Sequence, residues 1–160
     1  MELLKTKGLN DEDFVQYHKP SMFIVFPYCT GKCNEDCGYT VCQNYHLNEE
    51  DIIEIEIPRL VERYLNNPIT SAIVCGGMEP FDSGPQLFDL IMAFRQYTDD
   101  DIVIYTGYNK DEIKDEVEAL KQFPNIIIKF GRFVPDQEPR YDDILRVSLA
   151  SPNQYGEKIS

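Results

Sequence analysis

The chain has 160 residues, 42% hydrophobic and 27% charged, which suits a single domain over residues 1–160 and leaves little room for a second. Twenty-eight acidic residues against fifteen basic ones give a net charge of −13 without any Lys/Arg cluster. This argues against nucleic-acid binding and suits either simple solubility or a protein partner with a basic face. Residues 1–10 are polar, so no signal peptide is read, and no apolar run is long enough to cross a membrane. A cytoplasmic location is therefore expected, where a tight group of cysteines points to metal or redox chemistry instead of disulfides.

In chain order, residues 22–27 (MFIVFP) form a wholly apolar run that predicts a buried strand. Residues 28–47 hold glycines, asparagines and four of the five cysteines, and predict an irregular loop after that strand. Residues 51–57 alternate apolar and acidic side chains and are ambiguous. Pro58 suits the first turn of a helix that continues over residues 59–67. Residues 71–75 predict a strand ending at Gly76-Gly77. A helix then begins between Ser83 and Pro85 and runs to about Tyr97, with Leu87, Leu90, Ile91 and Phe94 at helical spacing. Residues 101–105 predict a strand before Thr106-Gly107, and residues 110–122 a charged helix with Ile113, Val117 and Leu120 on one face. Residues 125–130 predict another strand, 134–139 a proline-bounded loop, and 144–149 a last strand.

Strands alternating with helices imply an α/β fold with a mainly parallel sheet, and strands apolar on both faces suit a sheet covered by helices. Too few strands are present to close an eight-stranded barrel, so an open, partial β/α barrel is expected. Ligands in such folds sit at the carboxyl ends of the strands. The cysteine loop, Gly76-Gly77 and Thr106-Gly107 all fall at such ends and should converge on one site.

The loop reads Cys29-Thr-Gly-Lys-Cys33-Asn-Glu-Asp-Cys37-Gly-Tyr-Thr-Val41-Cys42-Gln43-Asn44. Zinc sites usually pair cysteines across two residues, and bacterial ferredoxin runs open with the same gap. Here the first gap is three. A Cys-x3-Cys opening after the first apolar strand, with a further Cys beyond, resembles the radical S-adenosylmethionine (SAM) superfamily. In that superfamily three thiolates hold a [4Fe-4S] cluster, and the fourth iron takes the amino and carboxylate groups of SAM. Reductive cleavage then gives methionine and a 5'-deoxyadenosyl radical. The usual spacing is Cys-x3-Cys-x2-Cys, from which this sequence departs. Cys29 and Cys33 are taken as ligands; the third is Cys42 or, alternatively, Cys37. Cys42 is favoured because Val41 suits the apolar position before the third cysteine, and because Cys42-Gln43-Asn44 resembles the run that follows it in activating enzymes.

Cys75-Gly76-Gly77-Met78-Glu79-Pro80 resembles the superfamily's Gly-Gly-Glu-Pro motif with Met78 inserted. The resemblance implies that Gly76, Gly77 and Glu79 meet the SAM amino group, and that Val41, Gln43, Asn44 and Thr106 also line the SAM site. Cys75 reads as a buried apolar residue, and Lys129 as a surface charge more readily than a site residue. Tyr105-Thr106-Gly107-Tyr108, Gly131-Arg132-Phe133 and Ser151-Pro152-Asn153-Gln154 resemble, in order, motifs of anaerobic ribonucleoside-triphosphate reductase activating proteins. Together these resemblances cover roughly residues 22–160. They imply an activase that generates a glycyl radical on the catalytic subunit of that reductase, with a flavodoxin-like protein as reductant. Activation of a different glycyl-radical enzyme, a non-catalytic iron–sulfur electron carrier and a zinc-stabilised binding module are the competing readings.

Overall fold

The computed structural model describes residues 2–29 and 50–160. Its centre is a six-stranded sheet. Strands β3 (Ser21–Phe26), β5 (Ala72–Gly77), β6 (Asp101–Tyr105) and β7 (Ile126–Phe130) run parallel and adjacent, in that order. Two antiparallel strands flank them, β2 (Gly8–Asp13) on β3 and β10 (Tyr155–Lys158) on β7. A separate ribbon pairs β1 (Leu3–Thr6) with β4 (Ile53–Glu56), and a hairpin pairs β8 (Arg140–Asp142) with β9 (Val147–Leu149).

Among the described residues, three α-helices pack on one face of the sheet. Helix α1 (Ile57–Leu65) has Pro58 in its first turn, where the missing N–H costs nothing, and buries Ile57, Leu60, Val61 and Tyr64. Helix α2 (Gly84–Arg95) buries Leu87, Leu90, Ile91 and Phe94, and helix α3 (Lys114–Leu120) buries Val117 and Leu120. These stripes meet the strand residues of matching parity, among them Met22, Ile24, Ile73, Cys75, Ile104 and Ile128, in the larger core.

The other face has no helix among the described residues. Val74, Val103 and Ile127 lie there under Tyr17, Leu145 and Leu149, which belong to the segment after β2 and to the β8–β9 hairpin. Both covers are pinned by polar bonds that are buried or partly buried. The Tyr17 hydroxyl donates to Asp101 Oδ2 at 2.7 Å, and Lys19 Nζ pairs with the same oxygen at 2.9 Å. Asp142 accepts from the N–H groups of Leu145 (2.8 Å), Ile144 (3.1 Å) and Gly156 (2.8 Å), which fixes the hairpin turn and ties it to β10.

Several elements differ from the sequence expectation. Apolar runs on both faces of the sheet suggested helices on both; among the described residues the second face is buried by a hairpin and a strap. Residues 144–149 are not one last strand: 143–146 form a turn with Arg146 at φ 57°, only Val147–Leu149 is extended, and β10 follows. The 110–122 helix begins as a 3-10 turn, Lys110–Ile113, with the Glu112 carboxylate accepting the Asn109 N–H at 2.8 Å. Strand β1 and the start of β2 fall in residues 1–10, read only as polar, and the rest of β2 had no reading.

Candidate functional site

The carboxyl ends of the four parallel strands open on a cleft of about 550 Å³. Cys29 reaches it from the end of β3, Gly76, Gly77 and Glu79 from β5, Tyr105 and Thr106 from β6, and Lys129 from β7. Phe133, the β9 strand and Gln154 line the opposite wall. Cys29 is exposed. Cys33, Cys37, Val41, Cys42, Gln43 and Asn44 lie outside the described residues.

The glycines have a steric reason. Gly77 has φ +81°, and a Cβ there would lie 2.5 Å from Val25 Cγ1. A Cβ on Gly76 would lie 3.2 Å from the Phe23 ring. The end of β5 therefore runs against β3 with bare backbone facing the cleft, as a close ligand approach requires. The parallel ladder continues past the strands: the N–H of Met78 donates to Phe26 O (3.1 Å) and that of Glu79 to Tyr28 O (2.7 Å).

Glu79 is 6% exposed. Its Oε1 accepts from the Gly107 N–H at 2.8 Å, and its Oε2 from the Phe81 N–H at 3.1 Å. The Thr106 hydroxyl lies 2.9 Å from both oxygens. Burial pushes this carboxyl up to about 7, against the pull of those donors.

Lys129 corrects the sequence expectation of a surface charge: it is 6% exposed. Register places it beside Tyr105, both side chains pointing to the cleft face, with Nζ 5.6 Å from the Tyr105 ring centre and donating to Gly131 O at 3.0 Å. The Tyr105 hydroxyl donates to Gln16 O, fastening the wall formed after β2. Tyr105 and Gln154 were not assigned to the site by sequence, and Lys129 entered only as the less favoured reading beside a surface charge. The available signal was position alone, since the residue pairing with Tyr105 at the end of the next parallel strand must share its face. Cys75 points the other way, fully buried in the helix-side core, its thiol pushed up to about 12 by burial, and takes no part in the cleft.

Residues 22–152 match the family model described as a 4Fe-4S single cluster domain, and the chain belongs to that family. No curated protein and no solved structure matches it. The chain is thus an iron–sulfur, metal-binding protein, which sets aside the zinc-stabilised module. A cluster fits the residues present: Cys29 stands exposed on the cleft that the bare Gly76-Gly77 backbone also lines, and three further thiols, Cys33, Cys37 and Cys42, follow it closely in sequence. No described helix is long and apolar enough to cross a membrane.

Proposed function

We propose that this chain is a radical SAM activase that generates a glycyl radical on anaerobic ribonucleoside-triphosphate reductase, its reductant a flavodoxin-like protein in the cytoplasm. The observation that carries the reading is that Cys29 and the Gly76-Gly77 end of β5 line one cleft at the carboxyl ends of parallel strands. An electron carrier needs a cluster but not that cleft. We read the sheet, with helices on one face and its cleft at the carboxyl ends of the parallel strands, as a partial barrel of the radical SAM type.

Cys29, Cys33 and Cys42 would hold the cluster, which supplies the electron that splits a carbon–sulfur bond of SAM. The chain's own groups bind and orient. Gly76 and Gly77 let the amino-acid end of SAM lie against backbone. Phe23 and Tyr105 wall the cleft with aromatic carbon and limit water. The buried Lys129 ammonium places positive charge at the cleft floor.

The test is anaerobic reconstitution with iron and sulfide, reduction, addition of SAM and assay of 5'-deoxyadenosine. Wild type and Cys37→Ala should form product and Cys42→Ala should not; glycyl-radical formation on the reductase would then be read by spin resonance. A fully loaded wild-type cluster that leaves SAM intact would favour the electron carrier.

A further inference from the structure

We infer that Glu79 is a positioning residue that shapes the cleft through Thr106 and Gly107, so that the ligand meets the backbone of residues 76–78 and not the Glu79 carboxylate. The inference concerns the site proposed above and rests on that reading only for the identity of the ligand.

The donors at Glu79 all come from the chain. Two backbone N–H groups and one hydroxyl surround the two oxygens at 2.8–3.1 Å, and 6% exposure leaves little of the side chain to the cleft. Those donors sit on two different strand ends. Phe81 follows β5, whereas Thr106 and Gly107 follow β6, so the carboxylate bridges the two. Thr106 extends the bridge: its N–H donates to Lys129 O at 2.9 Å and its Oγ1 accepts the Tyr108 N–H at 3.0 Å. A second link runs parallel, from the Tyr108 hydroxyl to Asp82 Oδ1 at 2.6 Å. The ends of β5, β6 and β7 are thereby held in one relative position. The Gly76-Gly77 backbone, with no side chain of its own to fix it, takes its place from the strands on either side.

The experiment uses the reconstituted holoprotein and two probes, SAM and 5'-methylthioadenosine, which keeps the nucleoside but lacks the amino-acid group. Glu79→Gln and Thr106→Val should each weaken SAM by a similar factor, on the order of tenfold, and leave 5'-methylthioadenosine, which has no group to lay against residues 76–78, little changed; the double variant should be no worse than the poorer single. Weakening of SAM by Glu79→Gln with Thr106→Val unaffected would show direct contact with the amine and overturn the inference, as would equal binding of SAM by wild type and both variants. Urea unfolding, read without ligand, keeps the inference testable if wild type binds neither probe and the radical SAM reading fails. The two single variants should lower the midpoint non-additively and Thr106→Ser, which keeps the hydroxyl, should restore it. Additive losses would overturn it.

Discussion

The carbonyl of Tyr108 accepts the Gly131 N–H at 3.0 Å, joining the turn after β6 to the turn after β7. Three short motifs meet around this bond. Gly131 O accepts Lys129 Nζ (3.0 Å) and Gln154 Nε2 (3.4 Å), Asn153 Nδ2 donates to Arg132 O (2.8 Å), and the Val134 N–H reaches Ser151 Oγ (3.2 Å). The residues 105–108, 131–133 and 151–154 are thus one brace along the wall of the cleft.

Gly131 is the narrow point of that brace. Its φ is +103°, and a Cβ would lie 3.0 Å from Asn153 O and 3.2 Å from Gln154 Cα, both backbone atoms that cannot rotate away. Gly131→Ala should therefore cost about 2 kcal/mol or more, from left-handed strain plus the clash. The unfolding midpoint in urea checks it; an unchanged midpoint would mean that the turn can relax.

Asp142 stabilises the opposite wall. It is buried, and its carboxylate serves the N–H groups of Ile144, Leu145 and Gly156. Asp142→Ala would leave three backbone donors without that acceptor, at a cost of roughly 3 kcal/mol. Amide exchange at Leu145 and Gly156 should accelerate together, since one side chain protects both. Acceleration confined to Leu145 would contradict the tie to β10.

The fifth cysteine should be silent in cluster chemistry. Cys75 is fully buried among helix-side core residues and its thiol is pushed up to about 12. Cys75→Ala should keep the iron content of wild type and cost about 1 kcal/mol of stability through the small cavity left. Cys29→Ala should lose iron. Thiol alkylation of the folded apoprotein near pH 8 should label Cys29 and spare Cys75.

The central strands were legible because residues 22–26, 72–75, 102–105 and 126–128 are apolar on both faces, a pattern that survives without knowledge of neighbours. Strand β2 was not legible: Gly8–Asp13 is extended only because it pairs with β3, and its acidic side chains suit an exposed edge. The same limit hid the partnership of Glu79 with Thr106. Each was recognisable as a residue near a strand end, but which donors surround the carboxylate depends on the alignment of β5 with β6, set by the register Cys75↔Ile104. Lys129 was misread because charge predicts exposure on average; its strand position turns it into the cleft, where the Gly131 carbonyl receives it.

Glu79 also gives the fold a predictable dependence on pH. Its carboxyl titrates near 7 in the folded chain, raised chiefly by burial and opposed by the donors of Gly107, Phe81 and Thr106. In the unfolded chain it titrates at an ordinary carboxylate value, about 4.3. Between these values the unfolded chain releases the proton more readily, so rising pH favours unfolding, and this contribution stops changing once the folded group is fully ionised. From pH 6 to pH 8 it amounts to roughly 1 kcal/mol of lost stability. Glu79→Gln should carry a constant penalty, because an amide cannot accept from all of the same donors, but it should lack this slope. Subtracting the urea stability of the variant from that of wild type at each pH isolates the slope from every other titrating group. A difference that falls as pH rises supports the buried, chain-satisfied carboxyl; a flat difference would mean that Glu79 is already ionised throughout this range, as an exposed side chain would be.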